Sequence, residues 1–284
     1  ILLLIVYLGS VALRTLLSYK FIPYMSIMID ESLYFNIAQS IWTEGIVSYH
    51  GQPINYDSLL YPLVISPLFA LPASVNIQKA IQLLNAFLIN SAIFPVWLLS
   101  NKITGSRKLS WLVVFLTLLL PDMAMNSTIM TESLGFPLLM FGVYFAYITF
   151  VEKKPFYSLV SVLFCLLLYL TKPGNIALLI AFCCVFLYQT IKIHSKKNFL
   201  YAGTILVICA VFFLLKDSLL EAVFKVDYTH SSIYDRPKLA LTISNIIESL
   251  GALPIYYGCL ALYCLAFPFL LPLSAIHEYE HDER

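Results

Sequence analysis

Charged side chains are scarce in this sequence: Asp, Glu, Lys and Arg make up 12% of its 284 residues, while 60% are hydrophobic. A soluble domain of this length carries about 25% charged residues, because its surface needs polar cover. The composition therefore excludes a soluble enzyme, a nucleic-acid-binding protein and a disordered scaffold. The net charge of +1 likewise gives no reason to expect nucleic acid as a partner.

Glycine is scarce as well, with ten residues, and three glycine-dependent motifs are missing: the P-loop, the dinucleotide fingerprint and the G-x-S-x-G nucleophile motif. Nucleotide chemistry is therefore not indicated. No internal repeat is visible, which argues against a transporter built from inverted halves. The six cysteines lie within apolar runs and are interpreted as buried or lipid-facing residues, not as disulfides or metal ligands.

Long apolar runs follow one another along the chain. A hydrocarbon core about 30 Å thick needs about 20 apolar residues per helix, and on this scale we predict an all-α polytopic bundle of about eight spans. We expect one transmembrane domain, 1–284, that is incomplete at its termini. The predicted spans are 1–19, 78–100, 109–125, 130–151, 156–171, 173–191, 199–216 and 249–276.

Lysine and arginine are concentrated in the alternate short connections after the second, fourth and sixth spans. These residues are Lys102, Arg107, Lys108, Lys153, Lys154, Lys192, Lys196 and Lys197. The positive-inside rule predicts that they face the cytoplasm. The opposite side then holds a first loop, 20–77, and a later loop, 217–248. We therefore expect an integral protein, in the plasma membrane, whose active site faces the extracytoplasmic side.

The first part of loop 20–77 has helical periodicity. Its apolar positions are Ile29, Leu33, Ile37 and Ile41, with polar residues behind them. This pattern predicts an amphipathic helix in the membrane interface. The following run, 59–71, is apolar, too short to span and interrupted by prolines, so we expect it to dip into the membrane face.

Four acidic residues of the outer loops are candidates for chemistry. Asp30 and Glu31 open the interfacial helix, where free N–H groups stabilise a carboxylate and desolvation favours proton acceptance. A helix-capping pair explains both residues equally well. Asp122 and Glu132 bracket the second outer connection, and each is either a functional acid or a plain cap.

Two cations are candidates for binding phosphate. Lys172, in Y-L-T-K-P-G, opens a helix beside free N–H groups, although a lysine there can also simply extend to the interface. Arg236 can clamp a phosphate with two hydrogen bonds or pair with the adjacent Asp235. Three further lysines are interpreted as solvated loop charges: Lys216, Lys225 and Lys238.

The sequence also matches H-E-x-x-H, the zinc metalloprotease motif, at His277, Glu278 and His281. The match falls at the predicted cytoplasmic end, in a highly charged stretch with no third ligand after it. We interpret this stretch as a solvated tail and predict no metal or cofactor. A membrane zinc protease is kept as an alternative.

Four short segments together resemble the GT-C superfamily of integral-membrane glycosyltransferases, most closely its protein-mannosyltransferase and lipid A aminoarabinosyltransferase branch. The first, I-D-E-S-L-Y-F-N-I-A at 29–38, is similar to the acidic start of that family's first outer loop. The others occur in the family's order across roughly the first 190 residues. They are Leu60–Leu63, Met130–Leu134 and Leu170–Pro173.

The resemblance implies an inverting transfer of a sugar from a polyprenyl phosphate donor to a hydroxyl of a glycan, lipid or protein acceptor. Asp30 would be the general base, and Glu31 would position the acceptor or support Asp30. Asp122 or Glu132 would be the second acidic residue, and Lys172 would contact the donor phosphate. A divalent cation is optional and not indicated, because the D-x-D pattern of the metal-dependent oligosaccharyltransferases is missing from the outer loops.

Arg236 is placed near the leaving group by its loop position rather than by a matched motif. The chain is much shorter than typical members of the superfamily, and no extracytoplasmic carboxy-terminal domain is recognised, so the sequence supports the acceptor half of the function less than the donor half. A non-enzymatic protein that binds or flips polyprenyl lipids therefore stays open as the second interpretation.

Overall fold

The computed structural model describes residues 1–25, 29–193 and 196–225, which form an all-α protein with 10 helices. The helices are α1 (Leu2–Phe21), α2 (Ile29–Glu44), α3 (Leu60–Ile65), α4 (Ile77–Asn90), α5 (Ile93–Thr104), α6 (Arg107–Leu118), α7 (Glu132–Phe150), α8 (Tyr157–Thr171), α9 (Ile176–Ile193) and α10 (Lys196–Phe224). Three short 3-10 helices cover Ser66–Ala70, Pro121–Ser127 and Pro173–Asn175.

The chain is a multi-span helical membrane protein. Five segments of the described part are long and apolar enough to cross a membrane, and six if α6 and the 3-10 helix after it are one span. The five are Leu2–Phe21, Ile77–Thr104, Glu132–Phe150, Pro173–Lys192 and Lys196–Phe224. Their apolar side chains stay exposed, as Leu214 does at 77%, because lipid rather than protein is their solvent.

The eight predicted spans are therefore more than the described residues carry. The predicted span 156–171 is α8, which has 15 residues and falls short of the length that a crossing needs. The predicted span 78–100 is divided into α4 and α5, which together form one candidate crossing. The last predicted span, 249–276, lies outside the described residues.

The helix predicted in the first loop is confirmed as α2, with Leu33, Ile37 and Ala38 almost completely buried on its inner face. A small hairpin follows it, in which β1 (Ser48–Tyr49) pairs antiparallel with β2 (Gln52–Pro53). Its two turn residues, His50 and Gly51, both have positive φ angles, 50° and 77°. A two-residue hairpin turn of this hand requires that conformation.

Three apolar cores organise the described residues. The first joins α2 and α3 to α4 and to the start of α7, around Leu33, Tyr61, Ile65, Ile81 and Ile129. The second joins α8, α9 and α10, and a third, smaller one joins α5 to α6. The first core fixes the amino ends of α2 and α7 beside each other, and these ends carry the candidate acids.

The three basic connections meet at one end of the bundle, as their alternation predicts. Glu152, between α7 and α8, forms ion pairs with Lys102 of α5 and, at 2.8 Å, with Lys154. Hydrogen bonds from these two lysines hold the pKa of Glu152 below its usual value. Glu132 opens α7 at the other end, about 28 Å away along a helix of 19 residues. We call these the basic end and the acidic end.

Candidate functional site

The loop that leads into α7 is fixed by polar side chains of α1. Arg14 donates hydrogen bonds to the carbonyl oxygens of Leu118 and Met123, at 2.5 and 2.6 Å. The amide of Asn126 donates to the hydroxyl of Ser18 at 2.8 Å. Because the carbonyl of Leu118 ends α6, the cation also meets the negative pole of that helix. The sequence analysis missed Arg14, since one charge does not lower the apolar average of a span.

Two amides of α4 hold the same loop from the other side. Gln82 donates to the carbonyl of Ser127 at 2.9 Å, and Asn85 donates to that of Thr128 at 2.8 Å. Asn85 also exchanges a hydrogen bond with the hydroxyl of Tyr61 in α3. Both amides are completely buried. The bonds offset most of the cost of burying Asn85, whereas Oε1 of Gln82 has no hydrogen-bond partner among the described residues. Their spacing of three residues puts them on one face of α4.

Glu31 is an anchor for this loop. Its side chain is 1% exposed, and its Oε1 accepts the backbone N–H of Ile129 at 2.7 Å. A hydrogen bond to a charged acceptor is about twice as strong as a neutral one. Glu31 therefore ties the start of α2 to the segment that precedes Glu132, and it holds the two acidic helix starts together.

Asp30 is half-buried in the first turn of α2. It lies within electrostatic range of Tyr34 and Lys172, because its negative charge contributes to the raised pKa of each. For Tyr34, which is 5% exposed, burial is the largest cause of the raised pKa. Asp30 thus faces the rest of the site and has a cation near it.

Glu132 and Lys172 form an ion pair, with Nζ 3.1 Å from Oε1. Partial burial works to lower the pKa of Lys172, but the hydrogen bond and charge of Glu132 outweigh it, so the pKa is raised. The Lys172 side chain is still 56% exposed. An ion pair of this exposure contributes about 0–1 kcal/mol, so an incoming anion can compete for the lysine.

Close helix packing brings the two partners of this pair together. A Cβ atom at Gly135 in α7 would lie 3.6 Å from Leu168 and from Thr171 in α8. Two turns further along, the hydroxyl of Ser161 donates to the carbonyl of Gly142 at 3.0 Å. Small residues allow helix backbones in membranes to approach in this way. The amino end of α7 and the carboxyl end of α8 therefore meet, and they carry Glu132 and Lys172.

Three tyrosines line the cluster, and the sequence analysis missed them. The ring centroid of Tyr34 lies 5.6 Å from that of Tyr61 and 6.3 Å from that of Tyr56. Tyr34 also hydrogen-bonds with Tyr56 and Thr131. Burial raises the pKa of Tyr61, which is completely buried. These rings form an apolar wall with polar tips next to the acids.

Lys216 was wrongly interpreted as a solvated loop charge. It lies near the end of α10, is 8% exposed, and places Nζ 2.9 Å from Oδ2 of Asp57 and 2.7 Å from Oδ1 of Asp217. Its Nζ also sits 5.9 Å from the ring centroid of Tyr169 in α8. The only sequence signal was a lysine interrupting an apolar run, since Asp57 is 159 residues away. Lys225 is exposed, and Lys238 lies outside the described residues.

The structure brings together Asp30, Glu31, Glu132 and Lys172, which with Tyr34 we call the outer cluster. Asp122 is exposed and, with the neighbouring residues 119–121, falls in a different unit from the cluster. Arg236 and the H-E-x-x-H match at 277–281 also lie outside it. Within the described ranges, no group of three His, Cys, Asp or Glu residues is arranged to hold a metal ion.

The sequence matches no protein-family model and no curated protein. The structure itself therefore describes the chain: it is a multi-span helical membrane protein with a cluster of acids and a cation at one end. Any function must be inferred from that cluster.

Proposed function

We propose that the chain is an inverting glycosyltransferase of the GT-C type. It would have about eight spans and use a polyprenyl phosphate sugar donor on the extracytoplasmic face. The observation that carries the proposal is an accessible cation close to a half-buried carboxylate. Asp30 lies within electrostatic range of Lys172, and among the described residues Lys172 forms one ion pair, the exposed one with Glu132.

In this reaction the acceptor hydroxyl oxygen attacks the anomeric carbon of the sugar, and Asp30 takes the hydroxyl proton. The bond between the anomeric carbon and the phosphate oxygen breaks, and the lipid phosphate leaves with the electron pair. A positioned base of this kind contributes about 10²–10⁴ to the rate. The attack from the side opposite the leaving group inverts the anomeric configuration.

Lys172 meets the charge that develops on the leaving phosphate. A cation that is already in place in a water-poor site lowers the barrier, since no solvent has to reorganise. Lys172 is protonated at neutral pH, and its raised pKa favours the charged form further. In the absence of donor, the ion pair with Glu132 holds Lys172 in position. When the donor phosphate binds, it replaces Glu132 as the partner of Lys172, in whole or in part.

The other residues have supporting roles. Glu31 keeps the starts of α2 and α7 in register through Ile129, so it acts on the site indirectly. Two further roles are assigned from loop position in the sequence alone. Arg236 would be a second cation for the leaving group, and Asp122 would be an alternative second acid. The acceptor is a hydroxyl of a glycan, lipid or protein.

The test compares Asp30→Asn with Glu44→Gln in membranes supplied with a polyprenyl phosphate sugar. Both variants exchange a carboxylate for an amide on α2, and Glu44 is exposed at its far end. We expect Asp30→Asn to lose about 10²–10⁴ in transfer rate and to keep donor binding, while Glu44→Gln keeps both. Full turnover by Asp30→Asn would reject the assignment and favour a protein that only binds or flips the lipid.

A further inference from the structure

A cavity lies at the basic end, far from the outer cluster. It has a volume of about 280 Å³ and lies among the connection between α7 and α8, the last turns of α9 and the first turn of α10. Its lining residues are Thr149, Lys153, Pro155, Phe186, Gln189, Lys197 and Asn198. A buried hydroxyl and a buried ring form its inner part, since Thr149 is 3% and Phe186 2% exposed.

Among the described residues, the cavity lining carries positive charge and no carboxylate. Lys153 and Lys197 are its ionisable lining residues, and neither forms an ion pair within the part of the chain that the structure describes. Glu152, the acid nearest in sequence to Lys153, is occupied by Lys102 and Lys154. The positive charge of the two lysines at the cavity is therefore not neutralised by a described carboxylate, and it favours the binding of an anion.

The backbone at the cavity rim is strained. Lys153 has a φ angle of 55°, in the left-handed region that a side chain other than glycine rarely adopts. Strain of this kind costs about 1–3 kcal/mol and is concentrated at functional sites. Here the strained residue is one of the two cations that line the cavity.

Neutral polar groups complete the lining. Gln189 donates its amide N–H to the carbonyl of Phe150 at 3.1 Å, a bond that fixes the side chain at the cavity. Asn198 lies in the first turn of α10 beside Lys197. Two cations with amides and a hydroxyl suit a phosphate that carries a hydroxylated substituent, because these groups match both parts of the ligand.

The surroundings are those of a membrane boundary. Exposed apolar residues flank the cavity along the sequence: Tyr188 at 66%, next to Gln189, and Leu200 at 70%, one turn after Lys197. Exposed tyrosines are common at headgroup depth. The cavity is slightly smaller than the range of about 300–1,000 Å³ typical of sites for drug-sized ligands, so it accommodates a headgroup while the chains lie along the exposed helices.

We propose that this cavity binds the phosphate headgroup of an anionic phospholipid. Basic pockets between helices at the cytoplasmic face have this chemistry. The positive-inside distribution places the cavity on that face, where anionic lipids are enriched. The inference does not depend on the glycosyltransferase proposal, since it uses none of the outer cluster.

The experiment uses the purified full chain in nanodiscs of phosphatidylcholine that contain a minor fraction of phosphatidylglycerol. After release into detergent, native mass spectrometry measures the fraction of protein that carries phosphatidylglycerol. At about fivefold in affinity per lysine, Lys153→Gln with Lys197→Gln should weaken binding about thirtyfold, which lowers the occupancy by the same factor when the lipid fraction is far below saturation. The matched control is Arg107→Gln with Lys108→Gln, which removes the same charge from exposed positions in the first turn of α6.

Equal occupancy in the cavity variant and the control would overturn the proposal. Lys153→Arg with Lys197→Arg keeps the charge, so it is expected to keep the lipid, and equal loss in that variant would also overturn it. A parallel arm titrates inorganic phosphate into nanodiscs of phosphatidylcholine alone. Binding of inorganic phosphate that depends on the two lysines, without retention of phosphatidylglycerol, would show a site for free phosphate and reject the lipid.

Discussion

The acidic end and the basic end of the bundle use lysine in opposite ways. At the acidic end, Lys172 and Lys216 are each held by carboxylates from other parts of the chain, and Lys216 is almost completely buried. At the basic end of the described residues, Glu152 is shared by two exposed lysines, and Lys153 and Lys197 line a cavity whose described lining has no carboxylate. Paired charges at one end build a defined site, whereas surplus charges at the other are available to an anion.

Glu31 offers the largest structural test of this difference. Glu31→Ala leaves the buried N–H of Ile129 without its charged acceptor, which should cost about 3 kcal/mol. Glu31→Gln keeps an acceptor and should cost less than half as much. Denaturant unfolding in detergent measures both, with Glu44→Ala as the exposed control at less than about 0.5 kcal/mol. A Glu31→Ala protein as stable as the control would remove Glu31 as an anchor.

Lysine-to-methionine substitutions compare the two ends directly. Lys216→Met leaves Asp57 and Asp217 without their shared cation and should cost about 2 kcal/mol, because the lysine is buried while its partners are partly exposed. Lys154→Met at the basic end should cost less than about 0.5 kcal/mol. The same unfolding assay checks both, and equal losses would mean that the ends do not differ.

The pH dependence of donor binding tests the Glu132–Lys172 pair. The pKa of Lys172 is raised in the folded protein above its ordinary value of 10.5. The protonated lysine is therefore favoured below that value, and its contribution is lost as the pH rises through the higher folded pKa. Binding of a polyprenyl phosphate should decline only at strongly alkaline pH. Glu132→Gln should move that decline to lower pH, and an unchanged profile would exclude Lys172 as the titrating group.

The smallest effect is expected from the acid of the basic end. Glu152→Gln removes both exposed ion pairs but leaves the lysines in water, so the stability should fall by less than about 1 kcal/mol. The variant also frees Lys102 and Lys154, which should leave phosphatidylglycerol occupancy unchanged or slightly higher. A loss above 2 kcal/mol would show that the basic end depends on pairing as much as the acidic end does.

The apolar helices were predictable because residues close in sequence, a run of apolar side chains bracketed by charged ones, determine where they begin and end. The span predicted at 130–151 is α7, Glu132–Phe150, since an acid and a charged turn bracket a continuous apolar run. The helix α2 followed from its period alone. By contrast, α10 continues to Phe224, past the predicted end at 216, because Leu, Ala and Glu favour helix where hydropathy has already fallen.

The contacts of the site were less predictable. Arg14 was missed because the mean hydropathy of its span stays high despite one charge. The contacts of Lys216 with Asp57 and of Glu31 with Ile129 join residues far apart in sequence, and no local pattern relates them. Such contacts depend on which helix ends meet, and small residues such as Gly135 decide that through packing. The sequence therefore indicated which residue types carry the chemistry at the acidic end, and packing determined how they are paired.

A structure of the full chain bound to an unreactive polyprenyl phosphate sugar analogue tests the central claim most directly. The account predicts the phosphate within about 4 Å of Nζ of Lys172, the distance of an ion pair, with the anomeric carbon turned towards Asp30. A phosphate bound elsewhere, with Lys172 still held by Glu132 alone, would contradict it.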